Sequence, residues 1–214
     1  MNHTIQLINA NALDGIDELI SANKWVDCIL TKFDREYFYD DTIEETTIAL
    51  ADHFSAVLVS DGSVYVQVDL KDIPLFSYNF CNHGFKLQNI LTVPVVTEAN
   101  CYHAKRYVDD NIVYFLFFTR SDSPARYFNP TDNGKAGCMC HYPITWDWFK
   151  GDTITAYREI LKISTDHADV VLDPFMNYGD TGIAAIDQDR HYIGIEISRA
   201  RYEDAKRRLD ENGE

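Results

Sequence analysis

Residues 173–198, DPFMNYGDTGIAAIDQDRHYIGIEIS, constrain the fold more than any other stretch of this chain. They read as the end of a strand, a tight turn, a helix and a second strand closed by an acidic residue, Glu196. Nucleotide-type cofactors are commonly held this way, beyond the carboxyl ends of strands and beside helix N-termini. A carboxylate about 20 residues past the first turn can accept hydrogen bonds from two ribose hydroxyls, or simply cap a helix or form a salt bridge. Asn177 and Tyr178 fill the tight turn, where close approach of a cofactor favours glycine.

The rest of the chain alternates in the same manner. Apolar alternation marks strands at 5–8 and 63–70, compact apolar stretches mark strands at 26–30 and 85–93, and the most apolar run, 111–119, reads as a buried strand; VVLDPF at 170–175 and YIGIEI at 192–197 follow. Helical spacing marks 13–22, 42–54, a segment from Pro74 to near Gly84, 153–165, 180–187 and a terminal helix from Ser198. Asp61 and Gly62 are expected to turn the chain before the third strand. Residues 120–150, rich in Gly, Pro, Asn and Asp without a period, are expected to form a long surface connection. Such alternation implies an α/β fold with a largely parallel central sheet and helices on both faces. One domain over 1–214 is expected, with halves at 1–119 and 151–214.

Composition narrows the function. No apolar run approaches the roughly 20 residues of a membrane span, and the N-terminus carries no basic-then-apolar leader, so a cytoplasmic protein with no membrane partner is expected. The five cysteines are scattered and read as reduced thiols. Cys138, Cys140 and His141 form a C-x-C-H cluster without a second pair at ligand spacing, so no metal is expected. Nineteen basic against 34 acidic residues give a net charge of −15, with five of each sign from Ser198 onward. That balance disfavours a phosphate-binding body, and suits solubility or an acidic surface for another protein.

The stretch VVLDPFMNYGDTGIAAIDQDRHYIGIEISRARYEDAKRRL (170–209) resembles the DNA amino methyltransferases, the family that makes N6-methyladenine or N4-methylcytosine from S-adenosylmethionine. The opening IQLINANALDGIDELISANKWVDCILTKFDREYF is similar to that family's first region. HGFKLQNILTV and NIVYFLFFTR resemble later strands in the same order. The order, catalytic region before cofactor region, is that of one permuted branch. The resemblance implies a Rossmann-like methyltransferase fold, S-adenosylmethionine as cofactor and DNA as substrate. It carries cofactor roles onto Asn11, Asp173, Phe175, Asn177, Gly179 and Glu196, and base-contacting roles onto Asp34 and Tyr37.

Four places depart from the family pattern. Its F-x-G-x-G loop is Phe175-Met176-Asn177-Tyr178-Gly179, and its Gly-Asp, whose carboxylate takes the adenine amino group, is Ala10-Asn11. A Lys-Pro pair opening the helix before VLDPF is Asp152-Thr153. The [D/N/S]-P-P-[Y/F] motif, whose acceptors hold the target amino group and whose ring stacks on a flipped base, has lost both prolines. Counted strictly from Thr31, its acidic position is Lys32; slid by two, it is Asp34-Arg35-Glu36-Tyr37. An ordinary charged loop is the competing reading. Fold-making residues therefore match while ligand-touching ones are altered. The chain is expected to be a catalytically impaired methyltransferase-like protein that partners an active subunit or another protein. An active enzyme with a divergent site is the alternative, and an acidic mimic of nucleic acid a third.

Overall fold

The computed structural model describes residues 3–35, 38, 42–94, 112–123 and 153–213. Among the described residues seven strands form one sheet: β1 (Ile5–Ile8), β2 (Val26–Lys32), β3 (Leu58–Val68), β4 (Phe85–Pro94), β5 (Ile112–Arg120), β6 (Val170–Asp173) and β7 (His191–Ile195). Their spatial order is β1-β7-β6-β2-β3-β5-β4. The five strands from β1 to β3 run parallel, and β5 is antiparallel to both its neighbours.

Six α-helices among the described residues cover the sheet: α1 (Ala12–Ser21), α2 (Ile43–Val57), α3 (Ile73–Asn82), α4 (Thr153–Ser164), α5 (Asp180–Ile186) and α6 (Arg199–Asn212). Strand residues divide by parity between two cores, because successive side chains leave opposite faces. Ile29, Val64, Val66, Leu116 and Phe118 pack beneath α1, α2 and α3, with Ile16, Leu50, Phe54, Phe76 and Phe80. Cys28, Leu30, Tyr65, Phe115 and Phe117 pack beneath the other layer, with Tyr157 and Leu161 of α4, Ala184 of α5 and Leu209 of α6. A strand covered on both faces must be apolar at nearly every position, which is why VYFLFF reads as a continuous run. Each fully buried Phe contributes roughly 1.5–3 kcal/mol relative to exposure.

The expected α/β architecture is the one observed, and the elements fall within a few residues of their sequence-based bounds. Asp61 and Gly62 correct one expectation: they lie inside β3 rather than in a turn before it. Between paired positions Val26↔Leu58 and Cys28↔Ser63, β2 advances two residues and β3 five, so the pair sits in a bulge. Glycine is needed there because a Cβ on Gly62 would lie 2.9 Å from the Asp27 carbonyl oxygen. The sixth and seventh strands end two residues early, at Asp173 and Ile195, so that Pro174, Phe175, Glu196 and Ile197 are freed into loops. From residue 124 onward the expected surface connection lies outside the described residues, as do the C-x-C-H cluster, Asp152 and Tyr37. Among the described residues no helix is long and apolar enough to cross a membrane.

Candidate functional site

The sheet changes direction between β6 and β2: from β6 the chain steps outward to β7, and from β2 it steps outward to β3. Crevices at such switch points, beyond the carboxyl ends of strands, are where open α/β sheets bind ligands. A cavity of about 810 Å³ occupies this position. Its lining comes from the ends of five parallel strands: Asn11 after β1, Glu196 after β7, Asp173 ending β6, Lys32 and Asp34 at the end of β2, and Gln67 of β3.

At the β1–β7 side the strand ends are stitched together by Asn9, whose Nδ2 donates to the carbonyl oxygens of Glu196 and Ile197 at 2.7 and 3.2 Å. Asn11 is the N-cap of α1, and its Oδ1 accepts from the Leu13 N–H at 3.0 Å. Glu196 is 6% exposed. Its Oε2 accepts from the Asn177 N–H at 2.9 Å and its Oε1 from the Ser198 N–H at 2.8 Å. Among the described residues each carboxylate oxygen therefore has one protein donor and keeps a further lone-pair direction, a suitable pair of acceptors for vicinal hydroxyls. Ser198 occupies the N-cap position of α6 as expected, but its side chain makes no cap bond; the Glu196 carboxylate takes its N–H instead.

The loop between β6 and α5 is held at both ends. The Met176 N–H donates to the Ile195 carbonyl and the Gly179 N–H to the Met176 carbonyl, both at 2.9 Å. Asn177 takes a left-handed backbone, φ +51°, of the kind asparagine tolerates better than most residues. The turn that a glycine would make is thus preserved without one. Asn177 lines the cavity, and its Oδ1 is enclosed without a hydrogen-bond partner among the described residues. Gly179, φ +84°, does not line the cavity. It backs α6, where a Cβ would stand 3.4 Å from Ala205 and Leu209. From the solvent side Arg208 grips this loop, donating to the Tyr178 carbonyl at 2.5 Å and pairing with Asp180 at 2.8 Å.

Asp173 joins the two halves of the chain at the switch point. Its Oδ1 accepts from the Thr31 hydroxyl at 2.6 Å and the Phe175 N–H at 3.1 Å. Burial pushes its carboxyl up to about 6, against the hydrogen bonds from Thr31, Thr181 and Phe175, with the Glu196 charge adding to the rise. Tyr157, from α4, lines the opposite wall and donates to Gln67 Oε1 at 2.8 Å. Burial first, and then the Asp173 and Asp180 charges, hold its phenol well above the usual range, so it remains a donor.

Aromatic packing and ion pairs fix the turn after β2. Phe33 is buried, stacks on Phe38 with centroids 4.7 Å apart, and meets Phe76 and Phe175 edge-on at 4.8 and 6.0 Å. Arg35, where the family motif carries its first proline in the slid reading, is bonded to the buried carboxylate of Asp72. Lys32 and Asp34 both line the cavity, with Nζ and Oδ2 3.8 Å apart.

Six of the sequence-derived site residues, Asn11, Asp34, Asp173, Phe175, Asn177 and Glu196, thus share one cavity, whereas Gly179 stands behind it. Thr31, Gln67 and Tyr157 were not among the sequence-derived candidates. The available signal was a glutamine in the otherwise apolar alternation of SVYVQVDL, at a position whose parity points inward.

Known proteins give this geometry a family. The model of a DNA methylase family, N6/N4 type, matches residues 154–207. The type II methyltransferase M2.MboI of Moraxella bovis is 48% identical over 168 residues, covering 72% of this chain and 61% of that protein. M2.DpnII of Streptococcus pneumoniae is 26% identical over 172 residues, covering 74% and 64%. The chain therefore spans somewhat less than two thirds of the length of these curated relatives. Among solved structures, the M1.HpyAVI–SAM complex superposes with a TM-score of 0.76 at 23% identity, covering 97% of this chain and 100% of that one. The cytosine-N4-specific PvuII DNA methyltransferase gives 0.69 at 14%, covering 98% and 87%. These two likenesses establish the fold. With the sequence matches beside them, the chain belongs to the DNA amino methyltransferase family, the N6-adenine and N4-cytosine DNA methylases.

Proposed function

We propose that this chain holds S-adenosylmethionine in the switch-point cavity, is impaired in methyl transfer to DNA, and serves beside a catalytically complete partner. The observation that carries this reading is the contrast between the two ends of one cavity. At the β1–β7 end the acceptors of Glu196 and Asn11 and the intact left-handed turn at Asn177 fit a nucleoside with an amino-acid arm. Glu196 would take the ribose hydroxyls and Asn11 the adenine amino group. Phe175 and Asn177 would flank the methionine arm, with Asp173 beneath. The cofactor, when bound, supplies an electrophilic methyl group on sulfonium sulfur.

At the β2 end the acceptors that should hold a target amino group are not preset. Counted strictly from Thr31 the acid's place falls to the Lys32 ammonium; counted two residues on, Asp34 keeps the acid but both prolines are gone, on a turn held by Arg35 and Asp72. Placement of acceptors to a few tenths of an ångström is what this chemistry depends on, so the loss weakens catalysis before it weakens cofactor binding.

Calorimetric titration with S-adenosylmethionine, followed by transfer of tritiated methyl to DNA, tests both halves. Binding without transfer is expected, and Glu196→Ala should weaken binding at least about tenfold, the worth of one to two charge-assisted hydrogen bonds. Robust transfer by the isolated protein would overturn the impairment, and failure to bind would overturn the cofactor assignment. The second reading, an active enzyme, draws support from Asp34 lying in the cavity wall. It requires methylation that Asp34→Ala abolishes.

A further inference from the structure

Asn177 keeps a side chain where the backbone asks for none. Its φ of +51° is open to glycine without strain, and glycine would make the same turn. Among the described residues the side chain makes no hydrogen bond. Its Oδ1 is enclosed without a partner, which costs the folded state. The two ends of the amide differ: the oxygen is shut in, whereas the NH₂ stays accessible, on a residue that lines the cavity. The backbone beneath is fixed, because the Asn177 N–H is bonded to Glu196 Oε2 and the Met176 N–H to the Ile195 carbonyl.

The loop has few other donors for a ligand. The N–H groups of Phe175, Met176, Asn177 and Gly179 all go to protein acceptors. Of the two cations in the cavity lining, Lys32 stands beside Asp34 at the β2 end and Arg201 rises from α6. Acids are plentiful by contrast. Asp173 and Asp180 line the cavity from either end of the loop, so the ammonium of a zwitterionic ligand finds its counter-charge there while a carboxylate needs a donor. We infer that Asn177 determines specificity for the amino-acid arm of S-adenosylmethionine, its NH₂ donating to the arm's carboxylate. Glycine at 177 would offer that carboxylate nothing, and aspartate would set a like charge against it. The inference rests on the cofactor reading above and adds which end of the arm this side chain recognises.

The test is calorimetric titration of the full chain with S-adenosylhomocysteine, its decarboxylated analogue, which keeps the amine, and its deaminated analogue, which keeps the carboxylate. Asn177→Gly preserves the turn and removes the donor. In this variant the affinity ratio of S-adenosylhomocysteine to the decarboxylated analogue is expected to fall about tenfold, the worth of one hydrogen bond to a charged group. The ratio to the deaminated analogue is expected to stay within about twofold. Comparing ratios between proteins cancels the general attraction of an acidic cavity for a more positive ligand. Asn177→Asp also tolerates a left-handed backbone and keeps the experiment decisive should the glycine variant fail to fold; the first ratio should fall at least as far. A first ratio unchanged in either folded variant overturns the inference. So does a fall in the second ratio as large as in the first, which would mean that the side chain reads the arm's ammonium or the arm as a whole. Either result with S-adenosylhomocysteine still bound overturns the inference alone. Failure of the wild-type chain to bind S-adenosylhomocysteine and S-adenosylmethionine overturns the cofactor reading and the inference with it.

Discussion

Burial and hydrogen bonding pull the acidity of Asp173 in opposite directions, and burial wins. Its folded-state value of about 6 lies above the ordinary 3.8, so ionising it costs the native state. The cost fades away as the pH falls past the ordinary 3.8, where the unfolded carboxyl also becomes protonated, and is complete once the pH has risen through about 6. A shift of about two units corresponds to ~3 kcal/mol. Asp173→Asn, which retains an acceptor for Thr31, is therefore expected to gain stability relative to wild type between pH 4 and pH 7.5. Urea denaturation at the two pH values measures this directly, and a difference that does not change with pH would show that Asp173 is not the source. Asn177 illustrates a different point at this scale. Read as a residue type, it is a substitution for glycine; as a backbone, with φ +51°, it does what glycine does. The turn survives because asparagine tolerates the left-handed region, and only its side chain is new to the cavity.

Elements were legible wherever one period dominated. The continuous apolar run VYFLFF packs on both faces, and the alternation of SVYVQV and the helical spacing of Ile43, Thr47, Leu50 and Phe54 each correspond to a face that packs. What could not be read was whatever depends on pairing between distant segments. The Asp61–Gly62 pair carries an ordinary turn signal, and only its position opposite Asp27 makes it a bulge within β3. The same limit applies to the site. Asn11, Asp173, Phe175 and Glu196 announce themselves through local motifs. Gln67 and Tyr157 are joined by the β2–β3 register and by the packing of α4, which no local pattern displays. Close approach between elements gives a prediction here. A Cβ on Gly182 of α5 would stand 2.7 Å from both Leu209 of α6 and the fully buried ring of Tyr192. Gly182→Ala is expected to destabilise the protein by about 1–3 kcal/mol through overpacking, despite the better helix propensity of alanine. A rise in denaturation midpoint would mean that the α5–α6 contact yields without strain.

For the molecule as a whole, the net charge of −15 sets an expectation of its own. Affinity for random-sequence duplex falls with salt in proportion to the phosphates neutralised, with a slope of about −0.9 per phosphate. The isolated chain is expected to bind such duplex weakly, with a slope smaller than about 2 in magnitude between about 50 and 200 mM salt, as read by anisotropy. A slope near −5 would reveal a basic groove that the total conceals. The strand order carries a separate consequence, for synthesis. The central strand β6 is inserted between β2 and β7, and among the described strands β1 pairs only with β7, with Ile5 opposite Tyr192. On the ribosome, then, β1 and one edge of β2 are made long before the strands that cover them. Their amide groups wait unpaired through more than a hundred residues of elongation, in a topology of high contact order whose closure is slow. The segment that completes the cavity is also the one that seals the sheet, so a nascent chain that stalls short of β6 presents a bare apolar edge to chaperones, proteases and other copies of itself.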